Sequence, residues 1–212
     1  MKAVIDFFIA PYEQASLWKV ILEITAAIFG VLSVFYAMRE DIKVYPTGIV
    51  STSIYIYITY RAVLYGDALI NMYYTGMSLY GWYRWTHPKE NQSEVPITYA
   101  SRKDWIVVGL IFSSTLLFVV AVYLYFHKFN HYTNYIDTLT TALFFAGMWL
   151  MAEKKIENWH FWIFGNVISV PLYFVKGLGF TGLQFSVFLI LALYGLRDWK
   201  AIYNAERVTY AN

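Results

Sequence analysis

Seven apolar stretches divide the chain, at residues 18–38, 44–60, 68–82, 105–126, 135–152, 159–175 and 183–196. Each is predicted to be a helix that crosses a bilayer: roughly 20 apolar residues span the hydrocarbon, and slightly shorter runs borrow aromatic and basic flanks. The sixth stretch has the sharpest internal pattern. At about 100° per residue, Trp159, Trp162, Asn166, Ser169 and Tyr173 fall within one narrow arc. Two indoles, an amide, a hydroxyl and a phenol facing one way in hydrocarbon need a partner. That partner is either helix packing with an interfacial aromatic belt or a flat, partly polar small molecule, a cation included.

Weaker stripes mark three other helices. Asp137, Thr140, Thr141, Phe144 and Met148 share a face of the fifth; Asn71, Tyr74 and Ser78 do so in the third, and Gln184, Leu191 and Tyr194 in the seventh. An acid at membrane depth is by default a functional group, although Asp137 near a helix start also reads as an N-cap. Glu23, in the first stretch, reads as a side chain snorkelling to the interface. Neutral Gln, Asn and Thr groups can hydrogen-bond an amide or a sugar diol without a charge penalty.

Composition makes the membrane reading firm. Hydrophobic residues make up 59% of the 212 and charged ones 14%, where a soluble domain carries about 25%. The expectation is one membrane domain over 1–212 with no soluble domain beside it. Asp6 and Glu13 in the first seventeen residues argue against a cleaved signal peptide. The chain has no cysteine, which excludes disulfides and thiolate metal sites. His127 and His131 have helical metal spacing but stand beside Lys128 in a loop without a third ligand, and His87 and His160 read as interfacial. Neither a catalytic triad nor a phosphate-binding glycine loop appears, so no metal, cofactor or enzyme chemistry is expected. A net charge of +2, spread along the chain, does not point to nucleic acid.

Basic residues orient the helices. With seven crossings, one side receives Lys2, Lys19, Arg61, Lys128 and Lys176. The other receives Arg39, Lys43, Arg84, Lys89, Arg102, Lys103, Lys154, Lys155, Arg197, Lys200 and Arg207. The positive-inside bias then puts the C-terminus in the cytoplasm and the N-terminus outside.

The halves also resemble each other. Residues 45–51 can be laid on 161–169 with Gly48 on Gly165 and Glu40 on Glu157, while Leu79, Tyr80, Gly81 and Trp85 match Leu193, Tyr194, Gly195 and Trp199. The two matches differ in spacing by a small indel. Read this way, the chain is all-α, with a three-helix repeat at 17–86, a linker helix at 104–127 and a second, parallel three-helix repeat at 133–202. Repeats with a ligand site at their interface are a common transporter architecture, which makes transport the leading class. The competing class is a ligand-binding membrane sensor or subunit that does not transport.

These residues resemble the Pnu family of bacterial vitamin transporters. The resemblance rests on Glu157, Asn158, Trp159, His160, Phe161, Trp162 and Asn166, followed by Pro171, Leu172, Tyr173, Phe174, Lys176 and Gly177, and on Tyr194, Gly195 and Trp199. Upstream, Asp137, Thr138, Thr140 and Thr141, and Tyr45, Pro46 and Gly48 with Gly81, Trp82 and Trp85, are similar to further family marks. The resemblance implies a 3+1+3 fold like the SWEET carriers, a homotrimer in the bacterial inner membrane, and facilitated diffusion of nicotinamide riboside, trapped inside by phosphorylation. Some members take thiamine instead. It also implies a pocket of Trp159, Trp162 and Asn166, with Gln184, Tyr194 and Asn71. Tyr74, Tyr173, Asp137 and Thr141 join the expected substrate-binding set from the stripes above.

Overall fold

The computed structural model describes residues 8, 13, 15–88, 94–127 and 131–211; Lys2, Asp6, Lys89 and Lys128 lie outside them. Among the described residues the chain forms seven long helices: α1 (Leu17–Met38), α2 (Val44–Arg61), α3 (Tyr65–Thr86), α4 (Arg102–Tyr125), α5 (Tyr132–Ala152), α6 (Asn158–Val175) and α7 (Gly179–Ala211). Each of the seven apolar stretches falls on one of them. By length and composition α1, α4, α5 and the 179–207 part of α7 are apolar enough to cross a membrane. Polar residues such as Thr47, Thr52, Thr59, Asn71 and Thr75 dilute α2 and α3. Their hydroxyls and amide turn back onto carbonyls four residues earlier, which satisfies them inside apolar surroundings.

Most helix ends use one device. A left-handed residue follows the last turn, and the next N–H reaches back five positions. Glu40 (φ 57°) lets Asp41 N–H reach Tyr36 O at 2.9 Å, and Lys154 (φ 51°) lets Lys155 N–H reach Leu150 O at 2.8 Å. Val63 (φ 62°) and Gly177 (φ 74°) do the same after α2 and α6. These are Schellman closures, which satisfy carbonyls that a bare helix end would orphan. Three of the four use a residue other than glycine, at a local cost of about 1–2 kcal/mol each that packing must offset. α4 starts on a capping box: Ser101 Oγ accepts from Asp104 N–H, and Asp104 accepts from Ser101 N–H.

Helices α1, α2 and α3 pack in sequence, and so do α5, α6 and α7; α4 leans on α5, while α1 meets α7 and α3 meets α5. Helix bounds recur with a constant spacing. Val44–Arg61 and Asn158–Val175 are the same length, their start points are 114 positions apart, and so are Glu40 and Lys154. The left-handed residues Val63 and Gly177 keep the same interval. This corrects the expected match of Gly48 to Gly165 and Glu40 to Glu157: no indel separates the halves, and Glu40 corresponds to Lys154, Tyr45 to Trp159, and Gly48 to Trp162.

Side chains confirm that register. A Cβ on Gly81 would overlap the Tyr45 ring, and one on Gly195 would overlap the Trp159 ring. Trp85 Nε1 donates to Ala152 O at 3.1 Å and Trp199 Nε1 donates to Ala37 O at 3.0 Å, so each half pins the helix end of the other. Tyr45, Trp85, Trp199 and Trp159 form a chain of ring contacts at 5.1, 6.2 and 5.5 Å, an aromatic box at this end of the bundle. Lys154 Nζ lies 4.5 Å from the Trp85 ring centre. One seam has extra support: Thr98 N–H donates to Lys154 O, Ile156 N–H donates to Thr98 O, and Ile97 is buried beneath.

Candidate functional site

The five-residue stripe of α6 does form one inward face. Trp159, Asn166 and Ser169 are buried, and Trp162 and Tyr173 are half-buried. Trp159 belongs to the aromatic box, edge-on to Trp199, and its indole N–H is buried without a hydrogen-bond acceptor. Trp162 stacks on Phe144 with centroids 5.4 Å apart and planes 24° off parallel. Glycines make that stack possible. A Cβ on Gly165 would overlap Phe144, and one on Gly147 would stand 3.1 Å from Phe161 Cβ and 3.6 Å from the Trp162 indole. At the corresponding positions α1 carries Gly30 and α2 carries Gly48, so the large ring platform exists in one half only.

Asn166 and Ser169, like Ser78 and Thr115 elsewhere in the bundle, are buried polar residues without a local backbone acceptor, and Asn166 is the one amide among these four. Ser51 donates to Ala26 O at 2.8 Å, and Thr140 to Ile136 O at 3.1 Å, whereas neither Asn166 nor Ser169 has a side-chain hydrogen bond among the described residues. Thr52, the counterpart of Asn166 in the first half, is satisfied by Thr75 Oγ1 at 2.7 Å. A buried amide left open beside an aromatic platform has hydrogen-bonding capacity for something that is not protein.

Tyr173 extends this face. Its ring lies 4.6 Å from Phe185, and its phenol is an electrostatic neighbour of Tyr74 and of Tyr55, which in turn neighbours the Gln184 amide. Gln184 sits against α1, where a Cβ on Gly30 would come within 3.3 Å of its Nε2. Tyr74 packs edge-on to Phe145 at 5.5 Å. Trp162, Asn166, Tyr173, Tyr74 and Gln184 are therefore linked through one polar and aromatic region, with Tyr55 as a member that the sequence patterns did not single out. Tyr55 is one of several tyrosines in α2, and only the fold shows that it faces Gln184.

Asp137 stands further along, past the Tyr173 phenol. It lies inside the second turn of α5, so the N-cap reading fails; His131 is the N-cap and its side chain accepts from Thr133 N–H. The Asp137 carboxylate is ion-paired to Lys176 and receives the Tyr123 hydroxyl at 3.5 Å. Thr141 turns back to Asp137 O at 2.7 Å, and Asn71 Nδ2 to Asp67 O at 2.9 Å, so both are satisfied locally. Tyr194 is half exposed, with the Arg197 guanidinium 4.9 Å from its ring centre.

The sequence profile of the family described as nicotinamide mononucleotide transporter matches residues 20–201. The chain belongs to this family. Among relatives, the riboflavin/roseoflavin transporter RibM of Streptomyces davaonensis is 25% identical over 89% of this chain and 87% of its own. The nicotinamide riboside transporter PnuC of Escherichia coli is 23% identical over 84% of each chain. A crystal structure of the vitamin B3 transporter PnuC superposes with a TM-score of 0.65 at 22% identity, over 87% of this chain and 82% of that one, and shows the shared fold. The family and its relatives are multi-pass membrane transporters, not enzymes.

Proposed function

We propose that the chain carries nicotinamide riboside across the bacterial inner membrane by uniport, with cytoplasmic phosphorylation trapping the product. The observation that carries this reading is the open Asn166 amide beside the Trp162–Phe144 stack. A pyridinium ring suits indole faces, each worth about 0.5–2 kcal/mol, and its carboxamide suits a buried amide. Among the described residues no Lys or Arg stands beside Asn166, and Lys176 is already held by Asp137, which favours a nucleoside over its phosphate. Trp162 and Asn166 hold the ring, Gln184, Tyr55, Tyr74 and Tyr173 surround the sugar, and Asn71 and Asp137 border the path. Trp159 supports the platform from the aromatic box; Thr141 and Tyr194 take supporting roles in the α5 and α7 walls.

The 3+1+3, SWEET-like arrangement is part of the proposal, supported by the constant 114-residue register and by the paired α1–α7 and α3–α5 seams. So are the cytoplasmic C-terminus, expected from the basic residues at the aromatic-box end, and the homotrimer, expected from resemblance.

Two other flat vitamins compete for the site. Thiamine is an aromatic cation of similar size, and riboflavin is the substrate named for a relative of equal similarity. Titration of the purified protein with nicotinamide riboside, thiamine, riboflavin and nicotinamide mononucleotide ranks them. The proposal expects the tightest binding by nicotinamide riboside and at least tenfold weaker binding of the mononucleotide. Tighter binding of either other vitamin reassigns the substrate, and binding of none contradicts a vitamin carrier.

A further inference from the structure

Arg84 and Glu153 tie α3 to the end of α5. Arg84 Nε and NH2 donate to the two carboxylate oxygens at 3.1 and 2.9 Å, and the Tyr80 hydroxyl donates to the same group. Such a two-pronged guanidinium–carboxylate pair fixes geometry as well as charge. The 114-residue register places Tyr194, Asp198 and Arg39 at the corresponding positions, with Asp198 standing for Arg84 and Arg39 for Glu153. The phenol is kept and the two charges are exchanged between the helices, so the counterpart pair remains complementary.

That counterpart is not made. Asp198 pairs with its neighbour Arg197 at 2.8 Å, and Arg39 is exposed, its guanidinium 5.2 Å from the Phe35 ring. Reach does not prevent it. Trp199, next to Asp198, donates to Ala37 O at 3.0 Å, two residues before Arg39, while Trp85, next to Arg84, donates to Ala152 O, one residue before Glu153. The two seams differ in what surrounds them. Around Glu153, the 97–104 segment clamps the chain: Thr98 bridges Lys155, Ala100 N–H donates to Glu157 at 2.9 Å, and Lys155 reaches Asp104 at 3.5 Å. Around Arg39, among the described residues, the α1–α2 connection holds a local Asp41–Lys43 pair and one cross-link, from Glu40 to Lys154.

We propose that Arg39 and Asp198, with Tyr194, are a conditional latch on the α1–α7 seam: this seam opens and closes the aromatic-box end of the transporter, while the clamped α3–α5 seam stays shut as the hinge. The latch is disengaged in the present conformation and engages when that end closes fully. It deepens the transport reading, yet its test needs no substrate.

The chain has no cysteine, so Ser169→Cys supplies a single reporter on the buried face. An impermeant maleimide is added to membranes from the aromatic-box side and the labelling rate measured. R39D alone and D198R alone are expected to raise the rate at least tenfold, and R39D/D198R to return it to that of the reporter parent, because the reversed pair can still latch. Both altered positions lie on the surface, and a monodisperse elution profile checks folding. Single variants that label like the parent, or a double variant that labels like the singles, overturn the proposal. Uptake assays on the unmodified chain test the substrate assignment separately, so either can fail without the other.

Discussion

Glu40 and Lys154 occupy corresponding positions in the two halves, share a left-handed backbone conformation, and meet in an ion pair at 2.6 Å. Two equivalent residues touch each other only where a two-fold relation between the halves would place its axis. The Lys154 side chain is 4% exposed and Glu40 17%, and the ammonium also faces Trp85. This is a largely desolvated pair, so removing one partner strands the other.

Lys154→Met is accordingly expected to destabilise the protein by about 3–5 kcal/mol, and Glu40→Gln by less, because the glutamate is closer to water. The double variant Glu40→Gln/Lys154→Met should lose less than the sum of the singles. Thermal unfolding in detergent checks this. Additive losses would mean that the two side chains do not interact.

Close packing of ring on glycine makes a second prediction. Gly195→Ala puts a methyl group into the Trp159 ring, which is trapped against Trp199, and should cost about 1–3 kcal/mol. Gly76→Ala has open space around its Cβ and should not destabilise; helix propensity even favours it by about 1 kcal/mol. Comparing the melting temperatures of the two variants checks the register of α6 against α7.

Glu153 sets a pH limit. Burial alone would raise its pKa, but hydrogen bonds from Arg84 and Tyr80 and the charges of Arg84 and Lys155 outweigh that and hold it below the ordinary value of 4.5. A carboxylate depressed in the folded state contributes stability above its unfolded pKa and loses it as pH falls through the folded one. Stability should therefore decline as the pH drops below about 4.5, and Glu153→Gln should flatten that part of the profile. An unchanged profile in the variant would show that other carboxylates dominate.

Asp137 is engaged by Lys176 and the Tyr123 hydroxyl, which ties it to the neighbouring helices and gives it a structural part. Uptake is expected to be indifferent to an imposed proton gradient at constant pH on the substrate side. Acceleration by the gradient would assign Asp137 or Glu23 a coupling role.

Helix number and the inward stripe of α6 were legible in the sequence because both follow from simple periodicities: seven apolar runs, and 100° per residue from Trp159 to Tyr173. The repeat register was not. Glycine-to-glycine similarity drew Gly48 onto Gly165, although the helix lengths demand Trp162, and a glycine facing an indole carries no local signal. Asp137 as an N-cap failed because α5 begins five residues earlier, at Tyr132, and is capped by His131, a residue whose ring nitrogen caps less often than a carboxylate. The spacing of Tyr194 with Gln184 does not reveal that Tyr194 is half exposed beside Gly195, against which the Trp159 ring packs. The partnerless state of Asn166 and Ser169 depends on every neighbouring helix at once, so no single stretch of sequence contains it.

Flux of nicotinamide riboside into vesicles containing the purified protein, compared between the parent chain and Trp162→Ala, tests the central claim most directly. The stack on Phe144 and the neighbouring Asn166 amide predict uptake by the parent and at least a tenfold loss in the variant, with thermal stability checked in parallel. Absence of flux in the parent, or undiminished flux in a folded Trp162→Ala protein, would contradict the assignment of this face as the substrate site.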